Sequence, residues 1–429
     1  MSQLKAKSDI PVLYKQNVAN DLFQLIYVFD MGNNHDKALG TAFDYLEYLG
    51  TSDMTPEELK SEFYRLACTF YVSPGNERTY VVLSGLNENM PAAVQLFEKL
   101  LADAQVNKEA YTNMTSDILK ARSDAKLNQG QNFSRLMSFA MYGPKSPATN
   151  LLTEAELTNM NPQELVDRIH NQNSYKHRIL YYGPSSSKDL LATINQYHQV
   201  PAALKDIPAG NEYAYLETPV TKVLVAPYDA KQIYMAQISN LDKKYDPAIE
   251  PIRALYDEYF GGGMNSIVFQ EMRETRGLAY SAWASIMPPS YLKYPYVLRT
   301  QIATQNDKMI DAVTTFNDII NNMPESEAAF KLAKDGLTNR LRTERIIKGD
   351  IIWSYINAQD LGQNVDPRIK LYNDIQNMSL KDIVDFQKQW VKGRTYVYCI
   401  LGDKKDLELD KLKAVGPIEE LTQEQIFGY

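Results

Sequence analysis

The sequence predicts an α+β protein made by tandem duplication of two homologous α/β-layer domains, each a mixed, mostly antiparallel sheet with helices packed on one face. Three observations carry this expectation. An ordered series of short internal matches runs through both halves, each half repeats one order of alternating and amphipathic segments, and a stretch rich in Pro, Gly and polar residues separates them. At 429 residues the chain exceeds what one ordinary core organises, so two units are the natural division.

The matches come in chain order with a slowly drifting offset. Glu47-Tyr48-Leu49-Gly50 closes one helical pattern and Glu258-Tyr259-Phe260-Gly261 closes another, 211 positions later. Leu66-Ala67 matches Leu278-Ala279 at 212. Met90, Ala93, Val94 and Phe97 match Met309, Ala312, Val313 and Phe316 at 219, and Val166-Asp167 matches Val384-Asp385 at 218. Gly183 after RILYY matches Gly402 after YVYCIL, again at 219. A drift of this kind is the mark of two copies of one unit that differ by loop lengths.

Each copy reads in the same order. Extended runs come first, DLFQLIYVFDMG in one copy and KVLVAP with KQIYMAQIS in the other. Two helices separated by glycine follow, then an alternating hairpin, TFYVSPGNERTYVVLSGL or LAYSAWASIMPPSYLKYPYVLRTQIA. Several amphipathic helices and one closing strand complete the unit. The stretch LKARSDAKLNQGQNFSRLMSFAMYG reads as helix, polar break and helix, with its basic residues on a solvated face. Pro201 to Thr218 has linker composition, which sets a first repeat over 1–205, a linker over 206–218 and a second repeat over 219–429.

One stretch carries the candidate chemistry: ALYDEYFGGGMNSIVFQEMRETRGLAYSAWA, from Ala254 to Ala284. Gly261-Gly262-Gly263 lacks the Lys of a phosphate loop, and a helix rather than a buried strand precedes it, which argues against a dinucleotide fingerprint. The glycines read as a helix end and a tight turn, with Asn265 or Ser266 capping the next helix. That helix places Arg273 one turn before Gly277, and Tyr280 follows at the start of a strand. Both side chains are hydrogen-bond donors, and two donors converging on one point suit a carbonyl oxygen turning into an oxyanion. Taken alone, the arginine is equally a helix C-terminal charge and the tyrosine a half-buried core residue.

Other chemistry is excluded by composition. The net charge of −8 argues against nucleic acid or an anionic membrane as the main partner, and no apolar run approaches the roughly 18 residues of a membrane span. The opening MSQLKAKSDIPVLYK has no apolar core of a secretory signal, and the compartment stays open between periplasm and cytoplasm. Cys68 and Cys399 sit in strand-like runs and read as reduced core residues. His35, His170, His177 and His198 are scattered, without any H-x-x-E-H, H-x-x-x-H or C-x-x-C, so a zinc site built by this chain alone is not expected. No Ser or Cys occupies a nucleophile elbow.

The stretch LYDEYFGGGMNSIVFQEMRETRGLAYS resembles the C-terminal half of the pitrilysin/insulinase family of zinc metallopeptidases, the inverzincins. The resemblance extends over nearly the whole chain and implies a metalloenzyme (LuxS/metallopeptidase-like) fold in which repeated α/β domains pair into a clam-like chamber. One half of such a chamber supplies H-x-x-E-H, and the other supplies an Arg and a Tyr seven residues apart, the spacing of Arg273 and Tyr280. The first copy departs from the zinc motif: Asp44-Tyr45-Leu46-Glu47-Tyr48 keeps the glutamate, with Asp44 and Tyr48 in place of the histidines. Asp117 falls roughly where the distal glutamate ligand would be, and Glu47 has an internal counterpart in Glu258, which points to a structural role for both.

The resemblance therefore implies the non-catalytic half of a zinc-dependent peptidase, inactive alone, with no cofactor of its own. Zinc is expected in a partner half that carries H-x-x-E-H, in the same polypeptide or as a separate subunit. Arg273 and Tyr280 would meet the scissile carbonyl of a peptide substrate. The alternative is a non-hydrolytic structural or peptide-binding core-type subunit of the same fold. The start at SDIPVLYKQN, running almost directly into a strand, fits one half of a longer chain.

Overall fold

A computed structural model describes residues 1–429. The chain forms two compact units, one comprising 1–123, 150–212 and 347–353, the other 124–149, 213–346 and 354–429. Each unit is built on a six-stranded sheet. The first contains β1 (Ser2–Lys5), β2 (Pro11–Gln16), β3 (Leu22–Phe29), β4 (Cys68–Pro74), β5 (Thr79–Leu86) and β6 (Arg178–Gly183). Its order is β1-β2-β6-β3-β5-β4, with β2 and β6 parallel and the other neighbours antiparallel.

The second sheet contains β7 (Lys222–Pro227), β8 (Gln232–Lys244), β9 (Ser281–Met287), β10 (Pro295–Gln305), β11 (Val397–Gly402) and β12 (Ile418–Glu420). Its order is β12-β7-β11-β8-β10-β9. Five strands superpose in sequence order on the first sheet, including the parallel pair β7–β11 in the place of β2–β6. The sixth differs: β1 comes first in its copy and runs antiparallel to β2, whereas β12 comes last and runs parallel to β7. The expected duplication is thus borne out as two mixed sheets of shared topology.

The matched residues are core residues. Met90, Ala93, Val94 and Phe97 are buried on the helix Met90–Asp103, and Met309, Ala312, Val313 and Phe316 are buried on the helix Met309–Asn321. Alternation along the strands decides which side chains they meet. Phe23, Leu25, Tyr27 and Phe29 of β3 share one cluster with Ala42, Phe43, Leu165 and Ile169 from helices. Ile233 and Met235 of β8 do the same with Leu255, Tyr256 and Ile383.

The second sheet is also covered on its other face. There Leu224, Ala236, Ile238 and Cys399 pack against Phe133, Leu136 and Ala140 of the helix Gln129–Tyr142. The helix–break–helix reading holds, with the break at Leu127-Asn128 between Lys108–Lys126 and Gln129–Tyr142. The fully solvated basic face does not: Arg135 lies 5.6 Å from the Phe427 ring and bonds the carbonyl of Ala148. Both cysteines are free and buried, and burial pushes the Cys399 thiol up to about 12. No helix is long and apolar enough to cross a membrane.

Candidate functional site

The glycine triplet sits at the end of the helix Glu250–Phe260, and its first residue answers to a close approach rather than to a left-handed turn. Gly261 has φ −139°, and a Cβ there would lie 2.2 Å from the carbonyl oxygen of Ala284 in β9. Ser266 then caps the next helix, its hydroxyl accepting from the Phe269 N–H at 3.4 Å, as one of the two expected caps. The helix runs as Ile267–Phe269 and continues as a π-helical segment, Gln270–Thr275, that carries Arg273. Wide turns of this kind are rare and recur at functional positions.

Gly277 ends the segment at φ +57°, where a side chain would be strained, and its N–H bonds the Arg273 carbonyl at 3.1 Å. The Leu278 N–H returns to the Met272 carbonyl at 2.8 Å, so the chain reverses tightly. Thr304 then bonds the Leu278 carbonyl at 2.6 Å, and the Tyr280 N–H bonds Ala303 of β10 at 3.1 Å. Tyr280 thus enters the sheet ladder one residue before β9 begins.

This local path brings the two sequence-selected donors together. The Arg273 guanidinium lies 5.3 Å from the Tyr280 ring and 5.0 Å from the Phe269 ring, stacked between two aromatic faces. Such exposed contacts contribute about 0.5–1 kcal/mol each, enough to bias an orientation. Neither polar end is consumed by the fold. Tyr280 is 74% exposed and its hydroxyl bonds nothing in the protein, and Arg273 has only the half-exposed Glu274 beside it, at 3.6 Å. Nearby, Glu271 is taken by Arg276 at 3.4 Å.

The degenerate motif occupies the exposed side of the helix Leu39–Leu46 and its end. Tyr45 is fully buried, its hydroxyl donating to the Asn107 carbonyl at 2.5 Å and accepting from the Asn107 N–H at 2.8 Å. Asp44, Glu47 and Tyr48 face outward. Partial burial, then the Glu47 charge, hold the Asp44 carboxyl above its ordinary range. Asp117 is exposed on the helix Lys108–Lys126, and no group of three His, Cys, Asp or Glu side chains is arranged to hold a metal. Two carboxylates and a phenol do not make a tetrahedral zinc site, so no metal-dependent step is assigned to these residues.

Glu258 pairs with Arg340 at 2.8 Å, whereas Glu47 has no partner and only repels Asp44.

The two outer strands, β4 and β9, also differ. Asp257 accepts the Ile286 N–H at 2.8 Å and the Ser285 hydroxyl at 2.9 Å, while Arg253 donates to the Ile286 carbonyl at 3.0 Å. Burial pushes the Asp257 carboxyl up to about 6, against the pull of Arg253 at 2.7 Å. Side chains thereby close the β9 edge. In β4, the hairpin bond from Gly75 N–H to the Arg78 carbonyl and that from Leu86 N–H to Ala67 set the alternation. It turns the backbone groups of Phe70 and Val72 outward. In the first copy Tyr45 takes the place of Tyr259, so Leu39 and Phe43 stand where Arg253 and Asp257 do, and they cannot clamp that edge.

Sequence reasoning missed this clamp, because nothing in the spacing of Arg253 and Asp257 shows that a later strand lies beside them. It also missed that His177 and His198 meet. Their Nε2 atoms lie 2.9 Å apart, and no linear spacing signals it.

Comparison with known proteins agrees with the resemblance. Residues 179–337 match the family described as "Peptidase M16 inactive domain". A Helicobacter pylori protein named "Non-peptidase homolog YmxG" is 23% identical over 422 residues, covering 93% of both chains. The crystal structure of a peptidase M16 inactive domain from Pseudomonas fluorescens is similar at TM-score 0.72 and 16% identity, over 94% of this chain and 98% of that one. The periplasmic protease PqqL from Escherichia coli is similar at TM-score 0.73 and 14% identity, over 94% of this chain and only 45% of that one.

Proposed function

From the match of residues 179–337 to the peptidase M16 inactive domain, we propose that the chain is the non-catalytic half of a zinc-dependent peptidase. It would complement an H-x-x-E-H half, in cis or in trans, and enclose a peptide substrate. The single observation that carries this reading is the Arg273–Tyr280 pair: two exposed donors side by side, the Tyr280 hydroxyl unbonded and Arg273 paired only with its exposed neighbour Glu274 at 3.6 Å. A partner half would supply the zinc, its water and the glutamate that would act as general base. Arg273 and Tyr280 donate to the carbonyl oxygen as it gains negative charge. Donors of this kind act only as charge develops, so they lower the barrier rather than tighten ground-state binding.

The open edge of β4 supports peptide holding in the same reading. Phe70 and Val72 offer a backbone ladder that an extended segment can join, and Tyr71, 52% exposed, lies between them. The alternative, a non-hydrolytic peptide-binding or structural subunit, is favoured by the full-length similarity to a protein named a non-peptidase homologue. Cleavage of a fluorogenic peptide library by this chain, alone and mixed with an H-x-x-E-H half, separates the two. Activity confined to the mixture and lost in Arg273→Ala and Tyr280→Phe is the expected result. A mixture that associates in sedimentation yet never cleaves would favour the non-hydrolytic alternative.

A further inference from the structure

Behind the first sheet, three ionisable side chains form one buried chain of hydrogen bonds. Glu98, on the helix Met90–Asp103, is 1% exposed, His198 0% and His177 7%. His198 Nδ1 lies 2.7 Å from Glu98 Oε1, the two Nε2 atoms lie 2.9 Å apart, and His177 Nδ1 lies 2.7 Å from the Tyr175 carbonyl. The second Glu98 oxygen accepts from Asn173 and from the Gln199 N–H, both at 2.9 Å.

Proton counting constrains this chain. The Tyr175 carbonyl only accepts, so His177 Nδ1 carries a hydrogen. Neutral His177 therefore accepts at Nε2, and His198 donates there. One more proton lies between His198 and Glu98. Three protons complete the three bonds, and a fourth has no place: it would put an N–H on each of the two facing Nε2 atoms.

We propose that this trio is an acid-sensitive latch that fastens residues 198–207 to the first unit. The segment is held at His198 and Gln199 by Glu98, at the Pro201 carbonyl by Ser8, and at Lys205 by backbone bonds with Ser174 and Lys176. Opening frees the His177 imidazole, which takes up a proton below about pH 6.5 in water. Burial, and next the His198 charge, push His177 down to about 4 while the latch is closed. The sign follows: a base with a depressed folded pKa loses stabilisation as pH falls from about 6.5 towards 4. A cleft of about 840 Å³, lined in part by His177, Asp30 and Leu204, brings solvent to the His177 end of the trio.

The remaining ionisable neighbours do not supply a competing response. Tyr27 of β3 bonds Glu98, and burial, followed by that carboxylate, holds its hydroxyl protonated. Asp30 is tied to Arg78 and Arg178, Lys176 to Asp206, and His170 to the Ala104 carbonyl. The second copy supplies an internal control. Asn317 stands where Glu98 does, and it accepts from Gln237 at 2.6 Å and from Tyr398 at 2.7 Å. Thr300 completes that network by donating to Gln237 at 2.8 Å. None of these amides and hydroxyls titrates in acid.

The test is hydrogen exchange on the full chain between pH 6.5 and 4.5. Exchange of residues 198–207 is divided by that of 391–398 to remove the intrinsic pH effect. One proton taken up on opening gives up to tenfold per pH unit, so the ratio should rise by as much as ~100-fold. His177→Gln should abolish the rise, and should that variant fail to fold, the wild-type ratio decides alone. A flat ratio, or one equally steep in His177→Gln, would overturn the latch.

Discussion

The helices Leu39–Leu46 and Glu250–Phe260 occupy the same place in the two copies and do opposite things. Aligned on Tyr45 and Tyr259, whose hydroxyls make the same pair of backbone bonds at the start of a later helix, the first has Leu39, Phe43 and Asp44 where the second has Arg253, Asp257 and Glu258. In the second copy Leu255 and Tyr259 are fully buried, and Arg253 with Asp257 seals the neighbouring strand. In the first, Asp44, Glu47 and Tyr48 face solvent and the neighbouring edge stays open. One helix has become structural cement. The other keeps a free face of two carboxylates and a phenol, without the nitrogen ligands that a zinc site needs. Tyr45 and Tyr259 keep the same buried place in both copies, whereas Leu39 and Phe43, buried in the first, stand where Arg253 and Asp257 seal an edge in the second.

This contrast makes stability predictions that differ sharply between the two helices. Arg253→Ala strips Glu250 and Asp257 of their buried partner and opens the β9 edge, and should cost about 3–5 kcal/mol in urea denaturation of the second unit. Gly261→Ala must move the helix end off Ala284, at about 1–3 kcal/mol by the same measurement. Glu258→Ala removes an ion pair to a half-exposed arginine and should cost no more than about 1 kcal/mol. Glu47→Ala, at the end of the first helix, should change stability by less than about 0.5 kcal/mol in either direction. If Glu47→Ala cost as much as Arg253→Ala, the claim that the first helix is free of structural duty would break.

Much of this was legible beforehand, for reasons that are themselves physical. Core positions must be apolar in both copies, so Met90/Met309 and Phe97/Phe316 kept their identity and their offset, and the shared topology followed. Arg273 and Tyr280 were legible because one tight reversal at Gly277 joins them, so seven residues of sequence fix their meeting. The latch was not legible: Glu98 and His198 stand 100 residues apart, and polar partners brought together by the fold leave no periodic trace. Nor was the reason for Gly261, whose need for a hydrogen side chain arises from a strand that comes later in the chain. The loss of both histidines from the motif was plain in sequence, but the unpaired state of Glu47 required the neighbouring surfaces.

The central claim is that Arg273 and Tyr280 act on developing charge in a complex with a catalytic half. Steady-state kinetics of that complex, with Tyr280→Phe, Arg273→Ala and the double variant, tests it most directly. Each single change should lower kcat by ~10²–10³ with KM altered only a few-fold, and the double variant should lose less than the product of the two. An unchanged kcat, or a loss confined to KM, would mean that the pair only holds substrate or does nothing, and would contradict the account.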